Sequence, residues 1–427
     1  MPAMTIGTSD AARPAASGLR ESAGALAEDP RRWRMLALLA FTQLAPMSLW
    51  FVGSAIAPRL AEPWGLDPGR IGWLTTAVQL GFVAGTAVAA VLNLADLLPS
   101  RGYLAVSALG AAAANAGLAW APGFEPALVL RFLTGFFLAG VYPPAMKMVA
   151  TWFRSGRGLA IGVIVGTLTV GKATPWLIQA LPSLPARTFV LFASAAAALA
   201  AGVTALAYRD GPFPFPRRPF TLGLAGTVLR HRETRLAIAG YLGHMWELYA
   251  MWTWLPAFLL AGGTAYAARG GAAPSPAVLA VLAFGAIAMG GLGSLWGGWA
   301  AARMGYARVV TLSMAVSGAC SLLIGFAFGA SPWLLVILAW VWGFFVVADS
   351  AQFSALVTEV APAHAVGTAL TLQTSLGFLL TTATIQLVPA VVEMAGWRWA
   401  FTLLAIGPAL GIAAIARLPQ RTAQPSG

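Results

Sequence analysis

Long apolar stretches alternate with short polar or Gly- and Pro-containing breaks along most of the chain. Each stretch runs for about 20 residues, the length that a helix needs to cross the hydrocarbon core of a bilayer. Continuous apolar character over this length excludes a transmembrane β-barrel, whose strands alternate over roughly 10 residues. The pattern predicts twelve membrane-spanning helices, near residues 33–58, 71–95, 102–121, 126–150, 158–181, 187–208, 236–262, 276–302, 306–328, 332–358, 364–391 and 397–417.

A polar, Pro-rich segment divides these helices into two sets of six. The polar features after the second span, at 96–101, have a weak echo after the eighth, at 302–308, and the openings of the fifth and eleventh spans are also similar. We therefore expect two pseudo-symmetric six-helix bundles, the organisation in which one half rocks against the other around a midplane site. The expected divisions are a disordered cytoplasmic tail, a first bundle, a cytoplasmic linker, a second bundle and a short cytoplasmic tail, at 1–30, 31–208, 209–235, 236–418 and 419–427.

Composition agrees with an integral membrane protein. Hydrophobic residues make up 59% of the 427 residues and charged residues only 9%, which excludes a soluble globular enzyme. Of the basic residues in the connections and near the ends of the spans, nineteen fall on the side of the N-terminus and five on the other. This positive-inside bias predicts a multi-pass protein of the cell (inner) membrane with both termini cytoplasmic. The net charge of +12 is then a signal of topology, and no nucleic-acid partner is expected.

Three local patterns add to this topology. Residues 298–308 form a loop with Arg303 and Arg308 after the eighth span, and residues 92–101 form a degenerate copy that keeps Asp96 and Arg101. In the fourth span, Arg131 precedes a glycine by four residues. With the twelve-span topology, these patterns resemble the major facilitator superfamily over residues 31–420.

The resemblance implies an all-α membrane fold, a monomer, and transport by alternating access. It also implies that the two loops act in gating, through Asp96, Arg101, Arg303 and Arg308. In proton-coupled members of the superfamily the arginine at the position of Arg131 is linked to coupling. Spans 1, 4, 7 and 10 would line a central cavity, on which Arg131, Glu247 and Asp349 would converge.

Ionisable residues deep in a bilayer are costly unless they are paired or hydrated, so each one is a functional candidate. Lys172 lies in the fifth span and is one of only two lysines among 26 basic residues. Together with Thr169, Trp176 and Gln179 it forms a polar and aromatic stripe at helical spacing. Facing a cavity, this stripe would hold a small anion; the alternative is that Lys172 forms a structural ion pair with Glu247 or Asp349.

Two acidic residues fall well inside the spans. Glu247 is the expected proton acceptor, with His244 as a relay three residues earlier on the same helix face. Asp349 is a second coupling candidate, and structural hydrogen bonding is the alternative for both carboxylates. The expected substrate-binding residues are Lys172, Arg131, Tyr142, Gln179, Trp176, Gln43, Trp50 and Gln352.

Other function classes lack their signatures in this sequence. A membrane-embedded enzyme needs a nucleophile with its base or a metal cluster, and the sequence has three histidines and no such motif. It has neither a filter-like run typical of a channel nor an ATP-binding motif, and no cofactor or metal is expected. The sequence predicts a secondary transporter that takes up a small organic or inorganic anion with protons or another coupling ion. The alternative is proton-driven efflux of a lipophilic or cationic compound.

Overall fold

The computed structural model describes residues 29–154, 156–213 and 220–419, without the side chains of residues 95 and 96. All regular secondary structure in these ranges is helical. Eleven helices or helix pairs are long and apolar enough to cross a membrane. The protein is therefore an all-helical, multi-pass membrane protein, as the sequence predicts.

We number the long helices in chain order, counting helices that continue through a short irregular turn as one. Their bounds are α1 Arg31–Trp64, α2 Pro68–Val91, α3 Ser100–Trp120, α4 Phe124–Ala150, α5 Arg157–Ala180, α6 Ala186–Ala207, α7 Arg232–Ala267, α8 Pro276–Met304, α9 Tyr306–Ala327, α10 Pro332–Val360, α11 Ala363–Ala395 and α12 Trp397–Ile415.

Helix α7 is the one long helix in these ranges that is not apolar enough to count among these eleven. It has 36 residues, enough for roughly 54 Å at the rise of an α-helix. Its middle contains His244, Glu247 and several Trp and Tyr residues, which lower its mean hydropathy, and nearly all of that middle is buried. The helix is thus shielded by protein where its polar residues lie.

Several helices are interrupted near the middle. In α1 a 3₁₀ turn at Leu49–Phe51 separates two α-helical parts, and α10 changes at Asp349 from Pro332–Ala348 to Ser350–Val360. Helix α4 is likewise divided between Leu138 and Tyr142. Irregular backbone at membrane depth is tolerated where protein or a polar cavity satisfies it. These interruptions therefore mark positions where side chains must supply hydrogen bonds.

Glycines allow the closest helix contacts. A Cβ atom at Gly135 of α4 would overlap the backbone of Val78 in α2, and one at Gly343 of α10 would overlap the backbone of Ala286 in α8. Small residues at such crossings replace the hydrophobic driving force that is missing between helices in lipid. The α2–α4 and α8–α10 pairs are thus held at backbone contact.

Contacts also join the first six helices to the last six. Helix α2 packs on α11, and α5 packs on α8 at Gly166 and Gly291. At the α2–α11 contact, the Gln386 amide donates a hydrogen bond of 3.1 Å to the Thr76 hydroxyl. Side chains from both sets of helices can therefore meet in the interior.

The segment between α6 and α7 is fastened at both of its described ends. The Trp152 indole donates to the carbonyl of Arg209 at 3.0 Å, and Tyr208 donates its hydroxyl to the carbonyl of Met148 at 3.1 Å. Burial raises the pKa of Tyr208 to about 12, so this phenol stays a donor at neutral pH. Further on, the backbone N–H of Thr221 donates to Thr368 at the start of α11. A short helix, Ala225–Arg230, then precedes α7. Of the predicted tails at 1–30 and 419–427, residues 1–28 and 420–427 lie outside the described residues.

Candidate functional site

Lys172 projects into a set of aromatic side chains, which we call the lysine cage: Trp50 of α1, Tyr249 and Trp252 of α7, and Phe378 of α11. The ammonium nitrogen lies 3.9 Å from the centre of the Trp50 ring, 4.7 Å from Tyr249, 5.6 Å from Trp252 and 6.0 Å from Phe378. It also donates a hydrogen bond to the Tyr249 hydroxyl. A cation over a desolvated ring gains about 2 kcal/mol. The cage therefore stabilises the charge of Lys172 from several sides.

The Lys172 side chain is only 3% exposed, yet within the described ranges it forms no ion pair. Removing an ammonium group from water costs several kcal/mol, more than cation–π contacts and one hydroxyl replace. The predicted alternative, a structural pair with Glu247 or Asp349, is absent because both carboxylates contact other groups. Lys172 is thus a buried amine that pairs with no carboxylate among the described side chains.

The rings of the lysine cage also contact one another. Ring centres of Trp50 and Tyr249 are 5.6 Å apart, and those of Tyr249 and Phe378 are 5.2 Å apart. Phe82 of α2 extends this wall, at 5.1 Å from Trp50 and 4.4 Å from Phe378. The cage is therefore an aromatic site built by helices from both halves of the chain.

Several polar groups at or next to the lysine cage have no hydrogen-bond partner among the residues described. They are the indole N–H groups of Trp50, Trp176 and Trp252 and the side-chain amides of Gln43 and Gln79. Each of these side chains is buried. Indole nitrogens are donors only, and buried donors are normally satisfied. The site is rich in donors and is suited to an acceptor such as a carboxylate.

Glu247 lies on the side of α7 opposite the lysine cage. One carboxylate oxygen accepts a hydrogen bond of 2.8 Å from Ser317 of α9, and the other accepts one of 2.6 Å from the Trp342 indole of α10. Residues two apart on a helix point about 200° apart, so Glu247 faces away from Tyr249 and the lysine cage. The same helix therefore joins a buried acid to the cage without direct contact between them.

Asp349, the second buried carboxylate, lies against the side chain of His244. The His244 Nδ1 lies 2.9 Å from a carboxylate oxygen of Asp349, and its Nε2 lies 3.1 Å from the hydroxyl of Ser350. Both ionisable side chains are almost fully buried. His244 is thus paired with Asp349 at the interruption of α10, rather than with Glu247, the relay partner that sequence spacing suggests.

Arg131 is fully buried within the first six helices. Its guanidinium group donates to the carbonyl oxygens of Leu49 at 2.9 Å and Trp50, where α1 is interrupted, and to Asn115 of α3 at 3.1 Å. A third carbonyl contact, to Leu74, is 3.4 Å long. Arg131 therefore satisfies the exposed backbone of the α1 interruption, and it meets neither Glu247 nor Asp349.

The remaining predicted binding residues lie at different distances from the lysine cage. Trp176 stacks near Phe51, with ring centres 5.8 Å apart, and Gln179 donates weakly to the carbonyl of Ala55 at 3.4 Å. Tyr142 is half-buried at the start of the second part of α4, and Gln352 is buried beside Gly297 of α8. Only Trp50 among the other predicted binding residues has its ring in contact with Lys172.

Tyr249 and Phe378 are not among the binding residues predicted from sequence. Aromatic residues are common in membrane helices, so neither position stands out by type. Tyr249 does lie two residues beyond Glu247, on the opposite face of an unusually polar helix. That spacing is the one sequence signal that points to it; Phe378 has none.

The sequence model of the Major Facilitator Superfamily matches residues 38–297, more than half of the chain. The chain belongs to the major facilitator superfamily. A second model, "Sugar (and other) transporter", matches residues 248–420 and so extends the likeness through the last helices.

Individual relatives match shorter stretches of this superfamily member. The niacin transporter NiaP of Acinetobacter baylyi is 32% identical over 131 residues, 30% of this chain and 28% of the relative. The 4-hydroxybenzoate transporter PcaK of Pseudomonas putida is 32% identical over 97 residues, 23% of this chain and 21% of the relative. The puromycin resistance protein pur8 of Streptomyces alboniger is 30% identical over 160 residues, 37% of this chain and 31% of the relative. The chain thus spans less than a third of each relative that it matches.

The four loop residues to which the resemblance assigns a gating role lie at or near helix ends. Arg101 contacts the carbonyl of Tyr208 at 3.5 Å, and Arg303 lies over the Trp299 ring at 3.9 Å while donating to the Trp299 carbonyl at 3.2 Å. Arg308 is exposed, and the Asp96 side chain is outside the description. The gating role of these four residues stays a prediction.

Proposed function

We propose that the protein moves a small organic anion across the inner membrane together with protons, by alternating access. In this proposal α7 is the twelfth span, the two sets of six helices form two bundles, the protein acts as a monomer, and both termini are cytoplasmic. The single observation that carries the proposal is Lys172, a buried cation without a carboxylate partner in an aromatic cage.

The charge of the site favours an anion. Lys172 donates in the lysine cage, and the nearby indole N–H groups are unpartnered donors. A carboxylate entering this site would neutralise the ammonium and accept these hydrogen bonds, and charge-assisted bonds are about twice as strong as neutral ones. A cation would meet the charge of Lys172 without compensation.

The walls of the site favour an aromatic acid within that class. Trp50, Tyr249 and Phe378 contact one another in this structure, and in a state that admits the substrate their rings would stack against another flat ring. The names of two relatives point the same way, because niacin and 4-hydroxybenzoate are both ring compounds with a carboxylate. We therefore propose an aromatic monocarboxylate as the substrate.

Proton coupling is assigned to the acidic groups of the second half. Glu247 is held by neutral donors, Ser317 and Trp342, so a change in its protonation alters the contacts between α7, α9 and α10. The His244–Asp349 pair links α7 to the interruption of α10 in the same way. Because α7 also carries Tyr249, protonation and substrate binding act on one helix.

A second candidate function is proton-driven efflux of a lipophilic or cationic compound. The observation in its favour is the likeness to a puromycin resistance protein over 160 residues. The buried acids Glu247 and Asp349 would be the cation-binding groups in that case. We favour an anionic substrate over a cationic one, because the charge without an opposite partner among the described residues is that of Lys172.

Uptake into proteoliposomes separates the two candidates. With an inward proton gradient, we expect radiolabelled benzoate to accumulate beyond the level in protein-free liposomes, which benzoic acid enters by diffusion, and this excess to collapse when an uncoupler is added. If puromycin accumulates in exchange for protons, and neither benzoate nor nicotinate accumulates, the proposal is overturned in favour of efflux.

A further inference from the structure

Gln79 of α2 is a buried amide without a hydrogen-bond partner. The side chain is fully buried, and neither its oxygen nor its nitrogen is bonded to any residue that the structure describes. Leaving a buried polar group unpaired costs roughly 1–3 kcal/mol. Such a group points to a ligand when it lies at a binding site.

The neighbours of Gln79 along α2 define the direction of its side chain. Thr75, one turn before, is hydrogen-bonded at 2.5 Å to Ser54 of α1. Phe82, one turn after, contacts the rings of Trp50 and Phe378. Residues three and four apart share a helix face, so Gln79 lies on the face of α2 that meets α1 and α11. It is therefore next to the aromatic wall of the lysine cage.

Gln79 and Lys172 approach that wall from different helices. Lys172 comes from α5 and contacts Trp50 directly, whereas Gln79 comes from α2, one turn before Phe82, which also contacts Trp50. Phe378 likewise contacts both Lys172 and Phe82. The site thus has an amine from α5 and an amide from α2, and the same two aromatic rings contact Lys172 and the neighbour of Gln79.

We propose that Gln79 binds a hydrogen-bonding group on the edge of the substrate ring opposite the carboxylate. A side-chain amide offers both donors and acceptors, so it can bind a ring hydroxyl or a ring nitrogen. Lys172 holds the carboxylate, the rings hold the aromatic face, and Gln79 selects substituted acids over the plain ring. The proposal rests on the proposed function, since it needs the carboxylate at Lys172.

A pair of ligands that differ by one hydroxyl group tests this assignment. The dissociation constants of 4-hydroxybenzoate and benzoate are measured by isothermal titration calorimetry for the full-length protein in detergent. The main variant is Gln79→Leu, and Gln79→Met replaces it should the first fail to fold. Gln43→Leu tests the competing buried amide, and Lys172→Met removes the amine of the cage. Gln373→Leu, which alters a buried amide of α11 outside the lysine cage, is the matched control.

We expect the wild type and Gln373→Leu to bind 4-hydroxybenzoate roughly tenfold more tightly than benzoate, since a site that pairs a hydroxyl rejects the analogue without it. In Gln79→Leu this ratio falls to within about twofold of one. The assignment is overturned if the affinity ratio is near one in the wild type, or if the roughly tenfold ratio persists in both Gln79 variants. It is also overturned if the ratio is lost in Gln43→Leu and kept in Gln79→Leu.

The same titrations distinguish this inference from the proposed function. If benzoate binding requires Lys172 but the preference for 4-hydroxybenzoate is unchanged in the Gln79 variants, only the role of Gln79 is overturned. Absence of binding of either acid to the wild type overturns both.

Discussion

The guanidinium group of Arg131 donates a hydrogen bond to the backbone carbonyl of Trp50, the residue whose ring lies nearest to the Lys172 ammonium. Asn115 accepts from Arg131 and donates to Ser194 at 2.9 Å, so α3, α4 and α6 all support this point of α1. The arginine that the sequence pattern singles out thus contacts the backbone of a cage residue. We infer that Arg131 positions Trp50.

Replacing Arg131 by Gln should therefore weaken substrate binding at a distance. The substitution removes a charged donor from the carbonyls of Leu49 and Trp50, and hydrogen bonds to charged groups contribute about 1.5–3 kcal/mol. We expect a lower unfolding temperature and, in 5-fluorotryptophan-labelled protein, a shifted ¹⁹F resonance for Trp50, which Trp50→Phe identifies. Arg131→Lys should restore part of both. An unchanged Trp50 resonance together with unchanged benzoate affinity would show that Arg131 does not position this residue.

Glu247→Gln should separate transport from the proton gradient. The amide keeps the size of the side chain but cannot take up and release a proton in the same way. Exchange of labelled for unlabelled benzoate across proteoliposomes should continue, whereas uphill accumulation and its increase at acidic external pH should be lost. Glu233→Gln, at the start of the same helix, is the matched control. Full accumulation by Glu247→Gln would remove this acid from the coupling mechanism.

The crossing of α8 and α10 should not tolerate a larger residue at Gly343. A Cβ atom there overlaps the backbone of Ala286, so Gly343→Val must push the helices apart. Overpacking of this kind costs about 1–3 kcal/mol. Thermal unfolding in detergent should show the loss, compared with Gly202→Val in α6, where a Cβ atom meets no neighbour. Equal unfolding temperatures for the two variants would argue against the close contact.

The two ends of α7 should lie on opposite sides of the membrane. The natural chain has one cysteine, the buried Cys320, which is first replaced by Ala. In intact cells, Arg230→Cys should then be protected from a membrane-impermeant maleimide and Ala268→Cys should be labelled. Labelling of both positions, or of Arg230→Cys alone, would contradict the proposed topology.

The sequence predicts the helices better than it predicts the site. Apolar runs of about 20 residues locate the eleven apolar spans, because solvation by lipid requires them. The importance of Lys172 also follows from its cost in a membrane. The surroundings of Lys172 do not follow from the sequence, because Tyr249 and Phe378 come from helices far away in sequence and only packing brings them together.

Arg131 and His244 illustrate the same limit for polar groups. Sequence identifies both as buried and ionisable, and the resemblance suggests that Arg131 meets the acids. The interruption of α1 instead presents the carbonyls of Leu49 and Trp50 to Arg131, and the interruption of α10 presents Asp349 to His244. These partners depend on where a helix loses its regular hydrogen bonds, which hydropathy does not reveal.

The measurement that tests the central claim most directly is the affinity for benzoate of Lys172→Met compared with Lys147→Met, by isothermal titration calorimetry. Lys147 is the other lysine of the chain, near the end of α4, so the two variants remove the same charge from different places. We expect Lys147→Met to bind like the wild type and Lys172→Met to lose at least tenfold, about 1.4 kcal/mol. Equal affinity in the two variants would contradict the assignment of Lys172 as the anchor for the substrate carboxylate.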